Sequence, residues 1–498
     1  MEAFVAGWLL FFTLENIFAV IIGLTVGILI GALPGLNVPM IVSLMLPFTF
    51  TMAPVAGLSL LLGIYKGGTQ GGSIASILIN TPGTPAAAAT CADGYPLAQQ
   101  GKAGKALNAA IYGSVIGQFL ADIVLISVAV QIAMVALRFG PSERLAIVIF
   151  ALVAISLVST TGNKLKGIAA GLAGIFVYSI GLDPVSGVSR FTFGQFQLIA
   201  GIPFLPLLIG LFAISEFFTQ LETRLLHGKK EMIKISKNKE DNRVTWAEFK
   251  QNFPTIIRSS LIGIGIGAIP GPGSAISAFV CYGAAKNASK HPEKFGKGAL
   301  EGVFAPETGG NATIGGSLIP LLTLGIPGDA VTAIMLGAFL VHGIIPGPEL
   351  FTVSANMVYA IFITLIVSNI FHLFIAKSCL KIFVKAVSFC RTLLYPAIIV
   401  ICFAGVFTSN SNIFDVRIMI IFGILGYIMK KTDFSIPTFL IGYILGPLFE
   451  ISLIQTAIIF EGNIISVLQR PIVLFFVILT VVFLVWTAVS HKRRQKAK

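Results

Sequence analysis

The chain has 498 residues, 56% of them hydrophobic and 11% charged, with a mean hydropathy of +0.92. Soluble domains carry roughly 25% charged residues, so this composition excludes a soluble protein and requires a bilayer. The net charge of +13 does not point to nucleic acid, because the basic residues gather in one central stretch and at the C-terminal end without the aromatic interleaving that single-stranded nucleic acid needs.

No basic residue precedes Lys66 and no small-residue cleavage pattern follows a short apolar core, so the N-terminus reads as retained rather than as a removable signal peptide. Apolar stretches long enough to cross a hydrocarbon core of ~30 Å lie at residues 17–33, 107–137, 196–218, 352–376 and 471–489. Counting less clear segments, on the order of a dozen spans of ~20 residues fit. Residues 36–50, 71–90 and 313–330 are short or cut by Pro and Gly, and are expected to be half-helices or hairpins buried in protein. The long hydrophilic stretch from Glu222 to Asn252 holds eight basic residues, and five more follow His491; both are expected in the cytoplasm. The predicted organisation is a first membrane repeat (1–221), a cytoplasmic linker (222–253), a second repeat (254–450) and a final transmembrane helix with a basic tail (451–498).

Duplication is written in two motifs. The peptide Gly27-Ile28-Leu29-Ile30-Gly31-Ala32-Leu33-Pro34-Gly35 returns 236 positions later as Gly263-Ile264-Gly265-Ile266-Gly267-Ala268-Ile269-Pro270-Gly271. A second box pairs Gly71-Gly72-Ser73 and Pro82-Gly83 with Gly315-Gly316-Ser317 and Pro327-Gly328. Charge differs between the copies. The first-half turn between the motifs, Pro47 to Pro54, is uncharged and the later turn carries Lys102 and Lys105; in the second half Lys286, Lys290, Lys294 and Lys297 lie between the motifs, and the turn from Gly343 to Leu350 has only Glu349. By the positive-inside rule matching parts face opposite sides. The fold class expected is an all-α polytopic membrane protein of two inverted-topology repeats with discontinuous helices and re-entrant hairpins, the sequence mark of a secondary transporter.

The glycines at 23, 27, 31 and 35, repeated as Ser259, Gly263, Gly267 and Gly271, form a ridge for close helix packing. Gly35 and Gly271 end it behind a proline and free backbone groups, with Asn37 beyond, as candidate ligands. The polar second box supplies Thr69, Gln70, Gly71, Gly72 and Ser73, then Asn80, Thr81, Gly83 and Thr84. Its counterpart supplies Gly310, Asn311, Thr313, Gly315, Gly316, Ser317 and Gly328. A helix that starts after such a break offers N–H groups and its positive end to a carboxylate, and carbonyls at the opposite ends can hold Na⁺. Intramembrane carboxylates are costly and persist with a use, which makes Glu307, Asp329 and Asp122 candidates for cation coupling. Lys66 is either a substrate counter-charge or a helix-end lysine. Five cysteines without CxxC spacing and the isolated His342 and His372 give no transition-metal site; Na⁺ or H⁺ is the expected ion, with no cofactor.

There is no G-x-x-x-x-G-K-[ST] phosphate loop and no nucleophile–base pair, so neither an ATP-driven pump nor an enzyme is expected. A channel with glycine-rich pore-lining breaks is the alternative. Beyond the boxes, Asp93-Gly94-Tyr95-Pro96-Leu97-Ala98, Ser289-Lys290-His291-Pro292-Glu293-Lys294-Phe295-Gly296, Ala305-Pro306-Glu307, Ile319 to Gly328 and Pro346-Gly347-Pro348 resemble the large membrane subunit of the bacterial tripartite tricarboxylate transporters. The resemblance implies a multi-pass permease of the bacterial inner membrane. It also implies a small membrane subunit and a periplasmic solute-binding protein as partners, and uptake of citrate or a related carboxylate on an ion gradient. The sequence departs from the family pattern at Gly309-Gly310-Asn311 and at Asp329, whose charge beside an anion site opens the substrate to organic acids other than citrate.

Overall fold

A computed structural model describes residues 2–158, 164–224, 233, 235, 236, 238, 240–387 and 391–496. The linker residues Lys229, Lys230, Lys234, Lys237 and Lys239 lie outside the described residues, as do Cys390 and Lys498. The first half is built from α1 (Glu2–Phe11), α2 (Leu14–Gly31), α3 (Val38–Thr49), α4 (Pro54–Ile79), α5 (Ala88–Leu97), α6 (Ala103–Ala136), α7 (Pro141–Val158) and α8 (Lys164–Tyr178). A small antiparallel ribbon, β1 (Gly181–Leu182) with β2 (Ser189–Arg190), precedes α9 (Phe204–Ile209) and α10 (Ser215–Arg224). The second half holds α11 (Trp246–Ala268), α12 (Gly273–Ala288), α13 (Glu301–Leu324), α14 (Ala330–Val341), α15 (Leu350–Val353), α16 (Ala355–Ser378), α17 (Leu380–Val387), α18 (Arg391–Asn410), α19 (Ile413–Lys431), α20 (Ile436–Ile459), α21 (Ile464–Leu468) and α22 (Pro471–Lys496). Helix α11 starts inside the predicted linker, on a reciprocal cap between Thr245 and Glu248, and α20 runs through the predicted boundary at 450.

Six helices among the described residues are long and apolar enough to cross a membrane, fewer than the apolar stretches suggested. Several of those stretches are short helices, such as α3 and α14 with 12 residues each. The two central helices, α4 and α13, are long but polar and glycine-rich, and they are shielded from lipid: every residue from Val55 to Ile79 and from Gly302 to Thr323 is buried.

The glycine ridges explain how these helices become central. α2 lies along α4 and α11 along α13. A Cβ on Gly27 would stand 2.6 Å from the Ile64 carbonyl, and one on Gly71 2.5 Å from that of Ile28. In the other pair, a Cβ on Gly267 would stand 2.6 Å from the Thr313 carbonyl and one on Gly316 2.6 Å from that of Ile264. Backbone meets backbone, as small-residue ridges allow.

These contacts also correct the register of the duplication. Ile28 and Ile264 are 236 positions apart, and they touch Gly71 and Gly316. The counterpart of Gly71 is thus Gly316, and that of Gly72 is Ser317, one residue later than the sequence pairing. In this register the spacing from Gly71 to Pro82 equals that from Gly316 to Pro327, and no extra residue remains between box and turn.

Candidate functional site

The glycine-rich boxes do not interrupt their helices. α4 continues through Thr69 to Ser73 and α13 through Glu307 to Ser317, so within 71–90 and 313–330, expected as half-helices or hairpins, the interruption falls after the polar boxes and not in them. Hydroxyls there bond their own helix: Thr69 to the Tyr65 carbonyl (2.8 Å), Ser73 to that of Gln70 (2.7 Å) and Thr313 to that of Gly309 (2.9 Å). The chain breaks later, where Asn80 (φ 49°) and Gly325 (φ 70°) take the left-handed conformation that ends a helix. Beyond each break a glycine is seated on the ridge. A Cβ on Gly83 would overlap the Gly31 carbonyl and the Gly72 backbone, and one on Gly328 would press the Gly267 carbonyl and the Ser317 backbone. Gly83 N–H bonds the Gly72 carbonyl at 3.3 Å, and Gly271 N–H bonds the Gly328 carbonyl at 2.8 Å.

The first motif ends as expected, with α2 stopping at Gly31 and α11 at Ala268. Gly35 (φ 92°) and Gly271 (φ 115°) turn the chain into α3 and α12, a conformation open to glycine. Gly35 lies against Gln220, and Asn37 caps α3 by accepting from Met40 N–H at 3.0 Å, so its side chain is occupied locally. Asn80 is exposed, whereas Thr84 is buried against Gly72. Gly310 faces Ser274 and Ala278 of α12, and Gly315 faces Ala121 of α6. Thr81 is half-buried beside the break.

Polar density lies instead along one face of α6. Ser114, Gln118 and Asp122 recur every four residues, which stacks them on one side of a helix. Asp122 meets Lys66 of α4 at 2.6 Å with both side chains fully shielded. The ammonium also donates to the Leu365 carbonyl (2.8 Å) and to Asn369 Oδ1 (3.0 Å) of α16, and Asn369 donates to Asp122 at 2.6 Å. Lys66 is therefore neither a helix-end lysine nor a free counter-charge. One turn along, Gln118 donates to Asn311 Oδ1 (2.8 Å) and meets His372 Nδ1 (2.9 Å); the amide geometry makes His372 the donor in that contact. Asn311 donates to Ser114 Oγ (3.0 Å) and to the Glu307 carbonyl (2.9 Å). Glu307 accepts from Ser114 (3.1 Å) and from Thr90 of α5 (2.5 Å). The network joins α4 and α6 of the first half to α13 and α16 of the second.

Asp329 stands apart from this chain. It caps α14, accepting from Thr332 N–H at 2.8 Å while Thr332 Oγ1 accepts from its own N–H at 2.8 Å, and Tyr65 of α4 donates to its other oxygen. The positive helix end expected to attract a solute carboxylate is met by a protein carboxylate. The structure therefore brings together Asp122, Glu307 and Asn311 from the predicted set and leaves Asp329 beside the second break. Sequence reading missed Thr90, Ser114, Gln118, Asn369 and Tyr65. The period-four spacing of 114, 118 and 122 inside an apolar segment was the available signal.

Across the halves, Asp93 Oδ1 accepts from the N–H groups of Gly296 (2.9 Å), Gly298 (2.8 Å) and Ala299 (2.7 Å), and Oδ2 from Tyr282 (2.9 Å). Gln100 donates to the Lys297 carbonyl at 2.7 Å. The turn carrying Lys102 and Lys105 thus adjoins the turn carrying Lys290, Lys294 and Lys297. At the far end of α13, Gly347 N–H bonds the Leu322 carbonyl at 3.1 Å, and His342 lies over Gly57 of α4, which gathers the two turns with little charge.

The model of the tripartite tricarboxylate transporter TctA family matches residues 17–441. The chain belongs to that family. This makes it a multi-pass membrane component of a tripartite transporter. It is 37% identical over 459 residues, 92% of this chain and 90% of the other, to an Agrobacterium vitis protein described as an uncharacterized 52.8 kDa protein in the TAR-I ttuC' 3' region. A second protein of that organism, described by the TAR-II ttuC' 3' region, is 37% identical over 207 residues, 42% of this chain and 86% of the relative. No solved structure matches this TctA-family chain.

Proposed function

We propose that this TctA-family protein carries out secondary active uptake of a carboxylate-type organic solute, a tricarboxylate such as citrate or a related organic acid, across the bacterial inner membrane. Its partners are a small membrane subunit and a periplasmic binding protein that delivers the solute, and a Na⁺ or H⁺ gradient drives the step. The observation that carries this reading is the pair of glycine-seated breaks at Asn80–Thr84 and Gly325–Gly328, flanking a buried network that ties both halves. Transporters of inverted repeats bind solute where broken segments of the two halves meet.

The shared face of the basic turns supports inversion of the halves, since matching turns then lie at opposite ends of the bundle. Asp122, Glu307 and Asp329 are the candidates for cation coupling. Solute would meet backbone groups at Gly83, Thr84, Gly271 and Gly328, with Asn80, Thr81 and Ser317 nearby. The test is uptake by proteoliposomes containing all three components, with a panel of labelled mono-, di- and tricarboxylates. Accumulation that needs an ion gradient and stops on Gly83→Val, in protein that remains monodisperse, is expected. Gradient-independent flux at channel rates would overturn the reading.

A further inference from the structure

We propose that the coupling ion is a proton and that Glu307 carries it; this deepens the transport reading above and rests on it. The inference comes from the chemistry of the partners around the carboxylates of this region. Asp122 is held by the Lys66 ammonium and the Asn369 amide, Asp329 by the Thr332 N–H together with the Tyr65 and Thr332 hydroxyls, and Asp93 by three backbone N–H groups together with the Tyr282 hydroxyl. Ammonium, amide NH₂ and backbone N–H groups donate and cannot accept. Each of these three carboxylates thus has at least one partner that satisfies the anion and cannot accept the proton of the acid.

Glu307 has a different shell. Among the described residues its side-chain oxygens meet two hydroxyls, Thr90 at 2.5 Å and Ser114 at 3.1 Å, with no cation and no backbone N–H. A hydroxyl donates or accepts by rotating about its C–O bond. With Glu307 ionised, Thr90 and Ser114 both donate to it. With a proton on Oε1, Glu307 donates to Thr90 Oγ1, while Ser114, which accepts from the Asn311 amide at 3.0 Å, still donates to Oε2. Both states are hydrogen-bonded without moving a heavy atom. The side chain is 3% exposed, and a buried carboxylate without a cation is best accommodated as the neutral acid.

The surrounding ionisable groups are committed elsewhere. On α5 Asp93 binds the 296–299 backbone, and on α6 Asp122 binds Lys66 of α4 while Lys105 binds Glu248 of α11 at 2.7 Å. Arg258 of α11 reaches the Ala284 carbonyl at 3.3 Å, Cys281 of α12 the Ser259 carbonyl at 3.5 Å, and Tyr282 of α12 binds Asp93. On α14 Asp329 is taken by its cap and by Tyr65. Cation binding at Glu307 would need several oxygen ligands at once, whereas its carboxylate oxygens meet two hydroxyls. The two amides of Asn311 and Gln118, with fixed donors, separate Glu307 from Asp122. The proton therefore exchanges on the Thr90 side, toward the face with the basic turns.

Infrared difference spectroscopy of the purified protein in vesicles, between acidic and alkaline pH, reads this without knowing the solute. The expected result is a carbonyl stretch of a protonated carboxylic acid that is present at neutral pH, disappears at high pH and is missing in Glu307→Gln. Thr90→Ser should keep the band, and Thr90→Val, which removes a donor from the anion, should retain the acid to higher pH. A wild-type protein without the band, or a band unchanged in folded Glu307→Gln, overturns the assignment. Loss of the band on adding NaCl but not choline chloride at fixed pH would replace the proton by Na⁺. Failure of the three-component system to take up any carboxylate would instead sink the transport reading, leaving the spectroscopic result to stand on its own.

Discussion

The Lys66 ammonium lies 2.6 Å from the Asp122 carboxylate, with both side chains completely removed from solvent, at the junction of α4, α6 and α16. Removing one member strands a buried charge, which costs roughly 3–5 kcal/mol. Lys66→Met or Asp122→Leu alone should lower the detergent-solubilised melting temperature sharply. The double variant should recover a large part of the loss, because two apolar residues leave no unpaired charge. Recovery is read by thermal melting monitored through size-exclusion fluorescence, and equal loss in the single and double variants would contradict the pairing.

Gly27 and Gly71 of the α2–α4 pair meet opposing carbonyls with no room for a Cβ. Gly27→Ala and Gly71→Ala should each reduce folded yield more than Gly265→Ala, since nothing lies within 4 Å of a Cβ at Gly265. Comparable yields for all three would deny close backbone packing.

Single cysteines placed at Lys102 and Lys290, in a background without the native cysteines, should react with an impermeant maleimide from the same side. The hydrogen bond from Gln100 to the Lys297 carbonyl and the grip of Asp93 on residues 296 to 299 bring these turns together. Labelling from opposite sides would dismantle both the fold and the inversion proposed from it.

Asp329 caps α14 through Thr332 N–H. Asp329→Ala should cost on the order of 1 kcal/mol, the usual loss for an N-cap, whereas Asp329→Asn retains an acceptor and should lose less. Thermal melting of the three proteins separates the cases. An Asn variant as weak as the Ala variant would show that charge, not capping, holds the position.

In the ribbon ahead of α9, Asp183 accepts from the backbone N–H groups of Ser186 and Val185, both at 2.8 Å, and pairs with Arg190 at 2.9 Å. These backbone donors first, with the guanidinium behind them, hold its carboxyl below the ordinary range. A depressed folded value means that this stabilisation is complete above the unfolded value of about 3.9 and is lost as pH falls through the folded one. A spin label at the exposed Val188 should therefore stay immobilised down to about pH 4 and loosen only in stronger acid. In Asp183→Asn its mobility should be insensitive to that acid range.

Much of the architecture was legible because its causes are local. Pro34-Gly35 and Pro270-Gly271 end helices where a missing N–H and a positive φ require it, and the ridge at 27, 31, 263 and 267 has no alternative use as regular as close packing. The polar boxes misled because glycine and hydroxyl residues read as breaks in isolation. In place, serine and threonine bond back to their own helix, and the glycines receive a neighbouring backbone. The site was legible only in part for a related reason. Asp122 and Glu307 stand out as carboxylates in apolar sequence, but Lys66 is brought to Asp122 across 56 residues, Asn369 to Asp122 across 247 and Thr90 to Glu307 across 217, with His372 reaching Gln118 between them.

The carbonyl-to-Cα seams of α2 with α4 and α11 with α13 also constrain how this protein can change shape. Side chains normally act as bearings, rotating between rotamers to let helices slip by an ångström or two. Where the glycines of these seams meet carbonyls none intervenes, and a slip there drives an oxygen into a backbone carbon. Each pair is therefore a stiff strut that tilts as one piece. Shear is left to the joints where longer side chains intervene, among them the contact of α6 with α16 that carries His372 and Asn369.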